Sequence, residues 1–210
     1  MKLIKKYLPI SEYSKIEYEQ YGLKQKNHIV LHHTVSSDEK GVYEWWCNDG
    51  KKVATAYVVD KDGTIYEYFD PKYWSYHLGG KAAKCHNINS IGIEIANEGA
   101  LIKSDDNYYW FSGKNKYKGK VFEYEWRGIK YWAEYTTEQF EAVTQLINYL
   151  CNKFNIPKTV YEKYDFNFDL LKNFRGIISH CNVRKDKTDI SPAFNLALLK
   201  QLIEQGDSNA

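Results

Sequence analysis

Short apolar runs separated by polar turns dominate the chain and predict a β-sheet. The run Ile29-Val30-Leu31 is continuous, as in a strand buried on both faces. Asp62-Gly63 is a turn signal between two such runs and predicts a hairpin. Glu94 is the one carboxylate within a run that is otherwise rich in β-branched residues. The predicted strands are residues 28–35, 56–59, 64–68, 91–96 and 176–179.

Helical periodicity is clearest after residue 135. Thr136 and Gln139 have the spacing of a capping box, and the helix that they begin should end before Pro157. Its apolar positions fall on one face, namely Phe140, Val143, Leu146, Ile147 and Leu150. Strands mixed with amphipathic helices predict an α/β fold with a mixed central β-sheet flanked by helices.

Two further helices are expected. Polar residues 36–38 offer a cap for a short helix that carries Val42, Trp45 and Trp46. Ser191 should cap a last helix, with Pro192 at its first position. The core face of that last helix is predicted to contain Leu196, Leu199 and Leu202.

No Pro/Gly/Ser-rich linker divides the 210 residues, so residues 1–210 are expected to form a single domain. Residues 1–24 are expected to be a polar, Tyr-rich leader that packs on this domain, and residues 25–205 are expected to be the catalytic core. Within the core, we expect residues 103–135 to form an aromatic insertion of short strands or an ordered flap.

Charge and hydropathy exclude several classes of protein. The chain carries 29 basic and 27 acidic residues, a net charge of +2, which argues against a nucleic-acid partner. The apolar runs are only a few residues long, so no membrane insertion is expected. Residues 1–6 become polar too early for a signal peptide, which predicts a cytoplasmic location. The four cysteines include no C-x-x-C pair, so a zinc ribbon is excluded.

Two of the six histidines stand at the ends of apolar strands. His32 and His180 each end such a run, and Asp189 follows nine residues after His180. Two imidazoles and one carboxylate would form a zinc site with one open position, as in catalytic sites. The spacing is also compatible with unrelated, structural histidines.

Five segments, in this order along the chain, resemble the zinc-dependent N-acetylmuramoyl-L-alanine amidases. This family includes phage endolysins, cell-wall recycling amidases and animal peptidoglycan recognition proteins. The resemblance extends over roughly residues 25–205. The segments are 29–34 (Ile-Val-Leu-His-His-Thr), 53–66, 76–79 (Tyr-His-Leu-Gly), 90–95 (Ser-Ile-Gly-Ile-Glu-Ile), and 179–180 with 184–192.

The resemblance implies that His32, His180 and Asp189 bind one Zn²⁺ per chain. Adjacent strand residues face opposite sides, so His33 should lie behind the sheet. Cys181 is an alternative soft ligand, although the third-ligand cysteine of some relatives corresponds to the position of Asp189.

The resemblance also implies catalytic and substrate-binding groups. Glu94 would be the catalytic base beside the metal, and Lys187 would stabilise the oxyanion. The alternatives are a glutamate on the solvent face of an edge strand and a solvated loop lysine. The expected substrate-binding residues are His77, Tyr76, Trp74 and Asn97, with structural packing as the alternative for the first three.

The chain departs from the family pattern at three places. Thr55-Ala56 replaces the histidine or tyrosine that many relatives have, which puts a tyrosine-assisted mechanism in doubt. Ile190-Ser191 replaces a Pro-Gly pair, and residues 103–135 are longer than in compact relatives.

The implied reaction is hydrolysis of the amide between N-acetylmuramic acid and L-alanine in peptidoglycan. The aromatic insertion favours a phage or prophage endolysin, a monomer that stays in the cytoplasm until it is released to the cell wall. One alternative is a cytosolic amidase that recycles soluble muropeptides. The other is a peptidoglycan-binding protein without activity, in which the third ligand is typically missing.

Overall fold

A computed structural model describes residues 1–9, 25–48 and 53–208, with side chains up to residue 205. Its centre is a six-stranded sheet in the order β1-β4-β3-β5-β2-β10. Neighbouring strands run parallel except the antiparallel pair β3–β4. The strands are β1 (Leu3–Lys5), β2 (His28–His33), β3 (Tyr57–Val59), β4 (Ile65–Glu67), β5 (Ser90–Ile95) and β10 (Gly176–Ser179).

Helices cover the faces of this sheet, which confirms the mixed α/β fold predicted from the sequence. They are α1 (Glu39–Asn48), α2 (Lys84–Ile88), α3 (Thr137–Phe154), α4 (Leu170–Asn173), α5 (His180–Val183) and α6 (Leu196–Ser208). Among the described residues, no helix is both long and apolar enough to span a bilayer.

The longest helix, α3, begins at the predicted capping box. Thr136 Oγ1 accepts from the Gln139 amide at 3.1 Å, and the Gln139 side chain accepts from the Thr136 amide at 3.0 Å. Its apolar face is buried completely at Val143 and Leu146 and packs in the main core with β2 and β5. This burial contributes far more to stability than the helix propensity of the segment.

The opposite face of the sheet has a smaller apolar cluster around Val30, Leu78 and Ile178. Both faces of the central strand β2 are therefore covered, as is usual for parallel strands. The continuous apolar run at 29–31 reflects this two-sided burial.

Residues 100–133 form a second, antiparallel sheet in the order β7-β6-β9-β8. Short strands were one of the two expectations for this insertion, and the sheet begins three residues before the predicted boundary. Its strands are β6 (Ala100–Ser104), β7 (Asn107–Trp110), β8 (Val121–Trp126) and β9 (Ile129–Ala133).

The predicted start and core face of the last helix need correction. The last helix begins at Leu196, not at Pro192, and the Asn195 side chain accepts from the Leu198 amide at 3.0 Å. Leu202 is half-buried, and Ile203 lies on the core face of α6. The start of the leader is an integral edge strand, β1, which pairs with β4. Residues 10–24 of the leader lie outside the described residues.

Candidate metal centre

Three elements bring the predicted ligands to the carboxyl edge of the central sheet. His32 lies near the end of β2, and His180 directly follows the neighbouring parallel strand β10. Asp189 follows the loop after α5, and the Cys181 amide donates to its backbone carbonyl at 2.6 Å. Parallel strands end at one edge, which is where α/β proteins place their sites.

The three side chains converge on one point. His32 Nδ1 lies 3.0 Å from His180 Nδ1 and 3.1 Å from Asp189 Oδ2. His180 Nδ1 lies 2.9 Å from the same carboxylate oxygen. All three residues are buried, with between 2% and 7% of their surface exposed.

The hydrogen bond at Nε2 of His180, the ring nitrogen that faces away from the cluster, fixes the tautomer of this ring. His180 Nε2 lies 2.8 Å from the backbone carbonyl of Leu78, which can only accept a hydrogen bond. Nε2 therefore carries the proton in the neutral ring, and the Nδ1 lone pair faces Asp189 and His32.

A hydrogen-bond relay fixes the tautomer of His32. Ser90 Oγ donates to the His86 carbonyl at 2.7 Å, so it accepts from His77 Nε2 at 2.8 Å. His77 Nδ1 is then an acceptor, and His32 Nε2 donates to it at 3.0 Å. The Nδ1 lone pair of His32 also faces the cluster.

The relay depends on Gly92. A Cβ at this position would lie 2.7 Å from Thr55 Cγ2 and 3.1 Å from the His77 ring. Because Gly92 has no side chain, the His77 ring can lie against β5 and beside His32.

This donor set fits a metal ion. Two lone pairs and a carboxylate oxygen within 3.1 Å repel each other, and one shared cation satisfies all three. Burial and the His180 ring lower the pKa of His32 to about 4. Neutral imidazoles and an ionised carboxylate are the forms that bind Zn²⁺.

Glu94 lies beside this cluster. It is paired in register with His32 across the parallel strands β2 and β5, so both side chains project from the same face. Its Oε2 is buried and has no hydrogen-bond partner in the described structure. Burial raises the pKa of Glu94 well above its usual value, the charge of Asp189 raises it further, and Lys187 partly offsets this. Because β5 is a central strand, the edge-strand alternative for Glu94 is wrong.

Two neighbouring residues lie outside the cluster. His33 is buried on the other side of the sheet, where its Nδ1 lies 3.1 Å from the Tyr135 hydroxyl, as predicted from strand alternation. Cys181 directs its thiol to the Ile190 carbonyl, and burial raises the pKa of that thiol to about 12. The three-residue cluster does not include Cys181.

The expected substrate-binding residues have different surroundings. Trp74 is buried and packs edge-on against Tyr76, at 5.1 Å between ring centroids. Asn97 is fully buried, and its side chain bonds to the Gly99 amide and the carbonyls of residues 133 and 134. These internal bonds leave substrate contact by Asn97 without geometric support.

Ser90 and the Leu78 carbonyl bond to His77 and His180, and the sequence argument did not single them out. Ser90 belongs to the segment 90–95 quoted above, which was a signal for it. A backbone carbonyl leaves no signal in a residue pattern.

Comparison with known proteins agrees with this geometry. The family profile described as N-acetylmuramoyl-L-alanine amidase matches residues 23–192. No curated protein is significantly similar to the chain in sequence.

Solved structures with the same fold include N-acetylmuramoyl-L-alanine amidases. AmiD from E. coli, determined with the substrate anhydro-N-acetylmuramic acid-L-Ala-D-gamma-Glu-L-Lys, is 21% identical with a TM-score of 0.57. The alignment covers 87% of this chain, which spans 59% of the AmiD chain. LysC from Clostridium intestinale URNW is 19% identical with a TM-score of 0.52, over 97% of this chain and 98% of LysC.

Staphylococcus aureus AmiA in complex with its ligand is 15% identical with a TM-score of 0.56, over 98% of this chain and 86% of AmiA. At these identities the structural likeness shows a shared fold, and the family profile supplies the class. The resemblance drawn from five short segments is confirmed, and so is the expectation of an enzyme. The chain belongs to the N-acetylmuramoyl-L-alanine amidase family.

Proposed function

We propose that the chain hydrolyses the amide bond between N-acetylmuramic acid and L-alanine, with one Zn²⁺ held by His32, His180 and Asp189. The observation that carries this proposal is the convergence of three ligand atoms, with the Nδ1 lone pairs of both histidines oriented towards the Asp189 carboxylate by hydrogen bonds at Nε2. AmiD, a protein with this fold, was determined with a muramyl peptide substrate.

Bound at this site, Zn²⁺ would lower the pKa of a water molecule and polarise the scissile carbonyl. Glu94 would take a proton from the attacking water and deliver it to the leaving amine, a role that its raised pKa suits. Lys187 would place positive charge near the developing oxyanion. Thr55 and Ala56 provide no tyrosine or histidine for this step.

The test is release of stem peptides from purified peptidoglycan by the metal-loaded protein, by the chelated protein and after zinc is added back. The expected products carry a newly exposed L-alanine amino terminus, and cleavage depends on zinc. No release from a folded, zinc-loaded protein, on sacculi or on soluble muropeptides, would favour the binding protein instead.

Glu94→Gln separates catalysis from metal binding. We expect kcat to fall by about 10²–10⁴, the usual contribution of a positioned base, while zinc affinity stays within about twofold. Glu125→Gln, at an exposed position of β8, is the matched control and should have unchanged activity. Equal activity of Glu94→Gln and wild type would exclude Glu94 as the base.

We further propose that the substrate is the intact sacculus, as for a phage or prophage endolysin. The second sheet is rich in aromatic residues. A Bacillus subtilis endolysin has a similar fold, at 14% identity and a TM-score of 0.54. Faster cleavage of sacculi than of soluble muropeptides would support this proposal. The reverse preference would identify a recycling amidase. The monomeric state and the absence of nucleic-acid and membrane partners stay predictions.

A further inference from the structure

The β8–β9 hairpin of the second sheet contacts the loop that follows α5, residues 184–188, which leads to the proposed ligand Asp189. Trp126 pairs with Ile129, so Arg127 and Gly128 form a two-residue turn. Their φ angles are 52° and 73°, the left-handed conformation of a tight hairpin turn. This turn places the Arg127 side chain at the loop.

The Arg127 guanidinium donates to three backbone carbonyls of one segment. Nη1 donates to the carbonyl of Lys185 at 3.0 Å and to that of Lys187, and Nη2 donates to that of Cys181 at 3.3 Å. The planar arginine head presents several donors in a fixed geometry, which a lysine ammonium does not.

Arg127 is itself held in place. Its Cζ lies 4.6 Å from the centroid of the Trp126 ring. That ring packs against Trp132, which is fully buried, and against Tyr164. A cation over an aromatic face is a favourable contact, so little freedom is left to the guanidinium.

Residues 184–188 make few other hydrogen bonds that hold them in place. The Arg184 amide donates to the backbone carbonyl of His180, and the Lys187 amide donates to that of Arg184. The Arg184 guanidinium pairs with the Asp186 carboxylate. All of these bonds lie within the segment 180–189. In the described chain, the hydrogen bonds that reach residues 184–188 from outside the segment 180–189 come from Arg127.

We propose that Arg127 is a positioning residue that holds the loop so that Asp189 meets the two histidines and Lys187 lies near Glu94. The second sheet would then brace the metal centre in addition to any contact with substrate. This inference rests on the proposed function, in which Asp189 is a metal ligand and Lys187 is the cation that stabilises the oxyanion.

The test compares Arg127→Ala and Arg127→Lys with wild type, and Arg175→Ala is the control. Arg175 is an exposed arginine that likewise donates to a backbone carbonyl, that of Asn155, away from the loop. The readouts are the zinc dissociation constant by chelator competition, amide exchange of Arg184 and Lys187, and the split between kcat and KM.

We expect Arg127→Ala to weaken zinc binding about tenfold and to accelerate exchange of both loop amides about tenfold. kcat should fall with KM nearly unchanged, and Arg127→Lys should restore part of the loss. Arg175→Ala should match wild type in all three readouts. If Arg127→Ala does not fold, the Arg127→Lys variant carries the test alone, with smaller shifts in the same direction.

Wild-type zinc affinity and loop exchange in a folded Arg127 variant, even with a lowered melting temperature, would overturn the proposal. The proposed function fails separately, if wild type binds zinc and cleaves neither sacculi nor muropeptides. The zinc and exchange readouts do not require cleavage, so the two failures are distinguishable.

Discussion

The relay behind His32 leads to a quantitative prediction for zinc affinity. His77→Ala leaves the buried Nε2 proton of His32 without its acceptor at 3.0 Å. An unsatisfied buried donor costs about 1–3 kcal/mol, which corresponds to a loss of about 5- to 150-fold in affinity. Ser90→Ala removes only the bond that orients His77, so we expect a smaller loss of about fivefold.

The assay is competition for zinc with a chromophoric chelator at neutral pH, on variants whose circular dichroism confirms folding. His86→Ala is the matched control, because Ser90 uses only the backbone carbonyl of His86. Wild-type zinc affinity in His77→Ala, together with a raised KM, would refute the relay. That outcome would assign the His77 ring to substrate binding, the expectation from the sequence.

Three further predictions concern stability. Leu146→Ala creates a cavity under the central sheet and should lower the free energy of unfolding by about 2–5 kcal/mol in urea titrations, and a loss below 1 kcal/mol would contradict this packing. Thr136→Ala removes the cap of α3 and should cost about 1 kcal/mol, whereas Thr137→Ala, one residue inside the helix, should cost much less. Burial lowers the pKa of Lys26 to about 7, although Asp70 partly offsets it. Between pH 7 and about 10.4 the unfolded chain keeps a proton at Lys26 that the folded chain has released, so stability rises with pH by about 1.4 kcal/mol per unit. Lys26→Met should lose this slope, and parallel stability curves of wild type and variant would contradict the shift.

Local signals predicted the elements that depend on neighbouring residues. The capping box at Thr136 and the apolar runs of β2 and β5 are present where the sequence places them. The last helix was placed too early because Ser191-Pro192 has the same residue types as a helix start. Asn195 caps the helix instead, and the Ser191 side chain is buried.

The residues of the proposed metal site were predicted through the resemblance, whereas the groups that orient them were not. Strand alternation places His32 and His33 on opposite faces of the sheet, so the sequence alone shows that only one of them can face the metal site. Arg127 bonds to carbonyls of a loop more than fifty residues away, and any residue type offers a carbonyl. Such contacts depend on the tertiary arrangement, so no residue pattern encodes them.

The wide separation of the ligands along the chain has a consequence for folding. His32 and Asp189 are 157 positions apart, and they meet only when β10 has paired with β2. A nascent chain that lacks its last strand therefore cannot bring the three proposed ligands together, and closing so long a loop is slow. Tight zinc binding should arise late in refolding, and its time course would report completion of the central sheet.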